Sequence, residues 1–417
     1  MEEKIQERAV LVGLNADCFT QEQTATEESL EELEALLETA GGFCTGKRLQ
    51  NRHVPDSHCF IGEGKALEVK MLVEATASTM VIFDNELSPG NIRALEEIIG
   101  VTVLDRSALI MDIFAQRAKT KEGRLQVELA QYQYLLPRLS GMGRSLSRQG
   151  GGIGTRGPGE TKLESDRRHI RERISRLESE LEQVRQVRGV QRERRMKNSV
   201  PVVAIVGYTN AGKSTLLNQL TGAGIPANNR LFDTLDTTSR QLKVSDNLDV
   251  ILSDTVGFIS KLPHHLVDAF RATLEELQYA DLLLHVIDAA DPNREDHIAV
   301  VDKLISTLAK PGTPVIYCYN KADLVSKEEI PVGENVIAVS AAKGVGMDAL
   351  LKKIEDTLGH ARHRVTLRLP YSMGGTVDTL HSKAKVFSVD YTGEGIEIDA
   401  VLDDILYGRL RDYVIKE

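Results

Sequence analysis

A glycine-framed run with one lysine follows an apolar stretch near the middle of the chain. Residues 207–215 read G-Y-T-N-A-G-K-S-T and come directly after the strand-like segment 202–206. This is the complete G-x-x-x-x-G-K-[ST] pattern, in which backbone amides and a helix N-terminus surround phosphate oxygens. The lysine brings positive charge to the last two phosphates, and the hydroxyl after it can bind Mg²⁺. The expected phosphate-binding residues are Gly207, Tyr208, Thr209, Asn210, Ala211, Gly212, Lys213, Ser214 and Thr215.

Three later segments, each after an apolar strand-like run, indicate which base is bound. In the first, Asp254 can orient Mg²⁺ through a water, and the amide of Gly257 can bond the last phosphate. In the second, Asp323 can accept hydrogen bonds from two donors of guanine that adenine does not offer together. The third offers a backbone amide to guanine O6. Four such motifs in order at strand ends predict GTP. The residues expected in these segments are Asp254, Thr255, Val256, Gly257, Asn320, Lys321, Ala322, Asp323, Ser340, Ala341 and Ala342.

A second hydroxyl ligand to the metal is expected between the first two motifs. Thr234 is the favoured residue, with Thr237 and Thr238 as alternatives. The predicted Mg²⁺ ligands are then Ser214, Thr234 and, through a water, Asp254. The segment predicted to contact GTP comprises Phe232, Asp233, Thr234, Leu235 and Asp236.

The residues expected to act on the reaction are Lys213, Thr234 and Gly257. Many GTPases place a glutamine after the D-x-x-G motif to orient the attacking water. Here that residue is Phe258, so slow intrinsic turnover is expected, with a partner or an ion completing the site. Asn210 either ligates K⁺ beside the phosphates or serves only as a turn-forming asparagine.

The elements that position these motifs divide the 417 residues into four parts. Strand and helix patterns alternate in 1–106, which predicts a small α/β domain with a parallel sheet. Leucine spacing in 107–198 predicts a long antiparallel helical hairpin with arms of about 25 to 35 residues, a homodimeric coiled coil being the alternative. Residues 199–362 are predicted to form the α/β P-loop domain, and residues 363–417 are predicted to form a small α+β domain. A Gly-Glu-Gly-Lys run at 62–65 predicts a turn before a helix.

Charge is unevenly spread along the chain. The net charge of −10 argues against nucleic-acid binding, but residues 141–198 hold 15 Lys/Arg against 8 Asp/Glu. The glycine-rich loop 140–160 within this segment contains Arg144, Arg148 and Arg156. Spaced arginines on such a loop favour contact with an RNA backbone, the alternative being a flexible linker.

Other features bear on location. No apolar run reaches the ~18–20 residues of a membrane span, and residues 1–10 lack the apolar segment of a secretory signal. The 4 cysteines include no C-x-x-C pair, which fits a reducing compartment. A cytoplasmic protein is therefore expected.

The sequence resembles the HflX family of ribosome-associated GTPases along essentially its whole length. The most specific segments are 151–174 (GGIGTRGPGETKLESDRRHIRERI), 207–215, 231–240 (LFDTLDTTSR) and 254–270 (DTVGFISKLPHHLVDAF). The resemblance implies GTP hydrolysis with Mg²⁺, association with the large ribosomal subunit and its RNA, and dissociation or rescue of ribosomes under stress. A hydrophobic residue at the position of Phe258 is similar to the family's own pattern. ATP binding by the N-terminal part is also credited to the family, although no phosphate motif in 1–106 places it.

The sequence motifs alone are compatible with two other functions. A ribosome-assembly or tRNA-modification GTPase would share the same chemistry on a different RNA, and segment 151–174 favours the ribosome factor. A non-hydrolysing binding protein whose N-terminal domain recognises a small ligand is the third possibility. A monomer is expected.

Overall fold

The structure is a computed structural model. It describes residues 6–20, 23–139, 158–197, 200–222, 224, 231–232, 238–245, 248–262, 266, 275–359 and 362–416. The described residues form two compact units. The first contains the chain up to residue 182 and the short described pieces at 231–232, 259–262 and 266, and the second contains the remainder.

The first unit is built on a four-stranded parallel sheet in the order β2-β1-β3-β4. Its elements are β1 (Arg8–Ala16), α1 (Glu27–Ala40), β2 (Phe43–Arg52), α2 (Glu63–Thr76), β3 (Met80–Phe83), α3 (Pro89–Ile99) and β4 (Thr102–Asp105). The apolar stripe of α1 is fully buried, and Thr26 caps the helix by accepting from the Ser29 amide. Ser88 caps α3 in the same way, with Pro89 at the first helical position. The expected parallel α/β sheet is present, and α2 begins within the 62–65 turn.

In the described part of the chain, this sheet is followed by the helices α4 (Arg106–Arg117), α5 (Lys121–Arg138) and α6 (Pro158–Lys197). The helices α5 and α6 pack through a cluster of Leu125, Leu129, Leu177 and Leu181. The expectation of two arms of 25 to 35 residues was wrong, because α5 has 18 residues and α6 has 40. The shorter arm results from a break after α4. Ala118 there is extended, and the Thr120 hydroxyl starts α5 by accepting from the Gly123 amide.

The second unit contains a six-stranded sheet in the order β10-β9-β8-β5-β7-β6, in which only β6 is antiparallel to its neighbour. The elements are β5 (Val202–Gly207), α7 (Lys213–Thr221), β6 (Thr238–Lys243), β7 (Asp249–Asp254), β8 (Leu282–Asp288), α8 (Arg294–Leu308), β9 (Val315–Asn320), β10 (Val336–Ala338) and α9 (Met347–Gly359). The central strands β5 and β8 are buried almost throughout, as expected of parallel strands covered on both faces. This burial fixes the strand ends at which the motifs lie.

The second unit also contains an antiparallel sheet in the order β12-β13-β11-β14, formed by the C-terminal residues. Its elements are β11 (Arg362–Leu369), α10 (Gly374–Lys383), β12 (Lys385–Thr392), β13 (Gly395–Asp403), α11 (Asp404–Leu410) and β14 (Val414–Lys416). Alternate residues of β11 and β13 enter one apolar core with both helices. This is the small α+β arrangement that the sequence predicts.

Short 3₁₀ helices complete the described elements: Glu275–Tyr279, Ala322–Leu324, Lys327–Glu329, Tyr371–Met373 and Arg411–Tyr413. Among the helices that the structure describes, none has the length and apolar character to cross a bilayer. The predicted division at 106, 198 and 362 into four domains stays a prediction.

Candidate nucleotide site

The glycine-framed loop connects the buried strand β5 to the N-terminus of α7, as the motif predicts. Gly212 has φ +94, and a Cβ there would lie 2.2 Å from Nδ2 of Asn320, so only glycine fits. Asn210 is exposed and also adopts a left-handed backbone, with φ +61. Asparagine tolerates this conformation better than most residues. The backbone of the loop is therefore shaped locally, by the two residue types that permit positive φ.

Lys213 lies inside the loop with its ammonium directed at backbone carbonyls. Its Nζ donates to the carbonyl of Gly207 at 3.1 Å and to that of Tyr208 at 2.7 Å. Burial lowers the pKa of Lys213 to about 8, while the nearby charge of Asp254 acts in the opposite direction. A buried cation held at the start of a helix provides a local positive charge for an anionic group.

The hydroxyl and the carboxylate expected to hold a metal lie side by side. Ser214 Oγ donates to Asp254 Oδ2 at 3.0 Å, and Asp254 is fully buried at the end of β7. Mg²⁺ prefers oxygen ligands of these types, so the two residues fit the ion that P-loop folds generally use. The hydroxyl of Thr255 is instead bonded to the Ile205 carbonyl at 2.7 Å, which ties β7 to β5.

The residue after the D-x-x-G motif is joined to the phosphate loop through its backbone. The Phe258 amide donates to the Gly207 carbonyl at 3.1 Å, and the Thr209 amide donates to the Phe258 carbonyl at 2.7 Å. Phe258 is 2% exposed, so its ring is packed inside the protein. A Cβ on Gly257 would lie 3.0 Å from Lys213 Nζ, which brings the D-x-x-G backbone close to the loop lysine.

Asn320 connects the phosphate loop to the turn at 340–342. Its Nδ2 donates to the Ala211 carbonyl at 2.9 Å, and its Oδ1 accepts from the Ala341 amide at 3.0 Å. Asn320 is buried, with 3% of its surface exposed. One side chain at the end of β9 therefore sets the spacing of two loops.

The carboxylate expected to recognise guanine, that of Asp323, lies three residues after Asn320. The hydroxyl of Ser340 and the ammonium of Lys343, whose Nζ is 2.9 Å from Asp323 Oδ2, lower the pKa of Asp323. Asp323 is therefore ionised, as a double acceptor must be. Lys321, in a left-handed conformation, pairs with Asp288 at 2.5 Å.

Several predicted residues are outside the described part of the chain: Asp233, Thr234, Leu235, Asp236, Arg144, Arg148 and Arg156. Phe232 is described and is buried in the first unit. Its ring contacts that of Phe114 edge-on, with centroids 4.7 Å apart.

A buried polar cluster that sequence reasoning missed lies in the first unit, after β3 and β4. Asp84, which is 2% exposed, contacts both Arg106 and Lys261. Arg106 also donates to the carbonyl of Ser260 at 3.2 Å. Burial lowers the pKa of Lys261, and Asp84 opposes that effect. The cluster fixes the two residues that follow Ile259, and no local motif could have revealed a contact across 177 positions.

Known proteins place this site in a family. Residues 27–115 match the family described as "GTP-binding GTPase N-terminal", and residues 117–195 match "GTP-binding GTPase Middle Region". Residues 202–321 match "50S ribosome-binding GTPase". The GTPase HflX of Caldanaerobacter subterraneus is 49% identical over 98% of this chain and 94% of its own. The chain belongs to the HflX family of GTPases.

A second relative agrees with this assignment. The GTPase HflX of Escherichia coli is 44% identical over 88% of this chain and 87% of its own. A crystal structure of SsGBP in complex with GDP is 26% identical, covers 84% of this chain and 98% of that one, and has a TM-score of 0.49. Like other HflX proteins, the chain binds and hydrolyses GTP on a P-loop α/β domain. The predicted fold class, the enzyme class and the family resemblance are therefore confirmed.

Proposed function

We propose that this GTPase works on the large ribosomal subunit and dissociates or rescues ribosomes under stress. The observation that carries the proposal is the match of residues 202–321 to the family described as 50S ribosome-binding GTPase. We propose that it acts in the cytoplasm, as a ribosomal partner would require, and that it acts as a monomer.

We also propose roles for the residues of the nucleotide site. Lys213 binds the last two phosphates, and Gly257 bonds the terminal one through its amide. Ser214 and Asp254 would hold Mg²⁺, Asp254 through a water, and the 3.0 Å hydrogen bond between the two side chains supports one joint site. The ion, when bound, offsets charge on the phosphate oxygens. Thr234 is proposed as the other hydroxyl ligand.

Base recognition is assigned to the opposite end of the same site. Asp323 accepts from guanine N1–H and the exocyclic amine, which its ionised state supports. Asn320 holds the base-binding turn at its distance from the phosphate loop through Ala211 and Ala341. Because adenine does not offer this pair of donors, the arrangement favours guanine.

The buried Phe258 supports slow turnover without a partner. Its carbonyl and amide are both bonded to the phosphate loop, so no side chain from this position orients water. We propose that the ribosome completes the site and that Asn210 ligates a K⁺ ion there. The exposed, left-handed turn at Asn210 is compatible with that ligand role.

RNA contact is proposed for Arg144, Arg148 and Arg156, at the loop that joins α5 to α6. The excess of 15 Lys/Arg over 8 Asp/Glu in residues 141–198 supports this proposal, although the described part of α6 exposes both arginines and carboxylates. Arginine can bond phosphate through two nitrogens or stack on an unpaired base.

The experiment measures GTP turnover with large subunits, small subunits and whole ribosomes added separately. Large subunits and whole ribosomes should accelerate turnover, and small subunits should not. Equal rates in all three additions would overturn the proposal. An assembly or tRNA-modification GTPase would instead respond to precursor particles or tRNA, which the same assay can include. Arg144, Arg148 and Arg156 changed together to glutamate should lose the acceleration and keep GDP binding.

A further inference from the structure

The second residue of the phosphate loop is stacked on a histidine from outside the loop. The rings of Tyr208 and His297 are nearly parallel, with centroids 3.7 Å apart and an interplanar angle of 9°. Tyr208 is 7% exposed and lies between β5 and α7, while His297 lies in the first turns of α8. The phosphate-loop motif leaves position 208 open, so the motif itself does not account for this contact.

His297 is held in place by a carboxylate on the turn after β8. Its Nδ1 is 3.3 Å from Oδ2 of Asp291, whose Oδ1 accepts from the Asn293 amide at 2.8 Å. His297 is the main cause that lowers the pKa of Asp291, and the Asn293 amide adds to the effect. The carboxylate therefore remains charged and fixes the imidazole edge while the ring face meets Tyr208.

The backbone of Tyr208 is connected to the two groups that approach the phosphates. Its carbonyl accepts the shorter of the two hydrogen bonds that Lys213 Nζ donates, at 2.7 Å. The residue also forms a parallel bridge with Phe258, made by the flanking Gly207 carbonyl and Thr209 amide. A shift of the Tyr208 backbone would therefore displace both the loop lysine and the backbone that follows the D-x-x-G motif.

The space beside the stack is small and is lined by both charged and apolar side chains. A small cavity lies there, and both stacked rings line it together with charged side chains such as Asp288, Asp291 and Arg294 and apolar ones such as Val286 and Ile298. Without the imidazole, this face of the Tyr208 ring would border the cavity instead of a stacked ring. The stack is thus one specific contact of the Tyr208 ring.

We propose that His297, anchored by Asp291, is a positioning residue for phosphate binding. The stack fixes Tyr208, and the Tyr208 carbonyl fixes the Lys213 ammonium where it meets the β- and γ-phosphates. The imidazole itself does not contact the nucleotide. This inference rests on the proposed phosphate-binding role of Lys213.

The test compares the affinities of GMP, GDP and a non-hydrolysable GTP analogue for wild type and His297→Ala. An aromatic pair contributes about 0.5–1.5 kcal/mol, which corresponds to a loss of about 2- to 10-fold. That loss is expected for GDP and the GTP analogue. GMP affinity should be unchanged, because GMP has no β-phosphate for Lys213 to bind.

Two further variants separate positioning from folding. His297→Phe retains a stacking ring and should restore most of the GDP affinity. Asp291→Asn should weaken GDP binding when His297 is present and have no added effect beside His297→Phe. These variants keep the inference testable if His297→Ala folds poorly.

A matched control exists in the C-terminal part of the chain. His363 stacks on Tyr407 with centroids 3.8 Å apart and an angle of 20°. His363→Ala removes an equivalent His–Tyr pair, and it should leave all three nucleotide affinities at the wild-type value.

Three results are decisive. Equal losses for GMP and GDP in His297→Ala would overturn the inference, because they indicate general destabilisation of the domain. Unchanged GDP affinity would overturn it as well, provided that Lys213→Met weakens GDP binding in the same assay. If Lys213→Met also has no effect, the proposed phosphate site itself is wrong.

Discussion

Asn320→Ala should damage both the stability of the second unit and nucleotide binding. Asn320 makes two buried hydrogen bonds, at 2.9 Å to the Ala211 carbonyl and at 3.0 Å from the Ala341 amide. Truncation leaves both backbone groups without this partner, and each costs about 1–3 kcal/mol when left unsatisfied. The sum is about 2–6 kcal/mol. For a unit of this size that corresponds to a fall of about 5–20 °C in its melting temperature.

The assay follows thermal unfolding of the second unit and GDP affinity together. GDP binding should weaken at least about tenfold, because the phosphate loop and the base-binding turn are no longer held at a fixed spacing. Asn320→Asp is the isosteric comparison. It retains the acceptor for the Ala341 amide but sets an oxygen against the Ala211 carbonyl, so it should be at least as harmful as alanine.

Asn293→Ala is the control, since Asn293 is exposed and makes no side-chain bond at the start of α8. It should change the melting temperature by less than about 2 °C. If Asn320→Ala unfolds and binds GDP like this control, the role assigned to Asn320 is refuted.

Three other predictions concern the phosphate loop. GDP affinity should fall as pH rises above about 8, because the pKa of Lys213 is near 8 and only the ammonium attracts phosphate; Lys213→Met should remove this pH dependence. The low pKa of Lys213 also affects the folding of the nucleotide-free protein. Between pH ~8 and ~10.5 the unfolded chain binds a proton at this lysine that the folded chain does not bind, so the free energy of unfolding rises with pH through that window. Phe258→Gln should not accelerate turnover, because the backbone at 258 is bonded to Gly207 and Thr209 and the side chain is buried. The loss of the buried ring should instead lower the free energy of unfolding by about 2–4 kcal/mol. Asn210→Ala should abolish any preference of GTP turnover for K⁺ over Na⁺ at equal ionic strength.

Each of these has a contrary outcome. Affinity for GDP that is flat between pH 7 and 9.5 would contradict the role of the Lys213 charge. Faster hydrolysis by Phe258→Gln would show that position 258 can reach the attacking water. Equal rates in both salts for the wild type, with and without ribosomes, would remove K⁺ from the account.

The motifs were predictable because they are local and because the sheet gathers them. The runs at 207–215, 254–257, 320–323 and 340–342 follow β5, β7, β9 and β10, whose carboxyl ends share one edge of a parallel sheet. Each strand was visible as an apolar run. Linear order and strand ends therefore specify the site without knowledge of any distance.

The edge strands β2 and β6 were not predicted. Both are rich in polar residues, and β2 is only partly buried along its length. Edge strands face solvent on one side and lose the apolar pattern that reveals central strands. The short α5 was also missed, because the break at Ala118 depends on backbone geometry rather than on a glycine or proline.

Contacts between distant side chains could not be predicted either. Tyr208 and His297 meet only because α8 follows β8, the neighbour of β5 in the sheet. The pairing of Asp84 with Lys261 joins residues 177 positions apart. Neither contact leaves a periodic or motif signal in one sequence.

The central claim is that guanine recognition by this chain drives hydrolysis on the large ribosomal subunit. The most direct measurement is subunit-stimulated turnover of GTP and of XTP by wild type and Asp323→Asn. Xanthine carries a carbonyl where guanine has its amine, so the amide donor suits it and the preference should reverse by at least about tenfold. Wild type should be stimulated with GTP, and the variant should be stimulated with XTP alone. Stimulation of Asp323→Asn by GTP at the wild-type concentration dependence, or no stimulation of either protein by large subunits, would contradict the account.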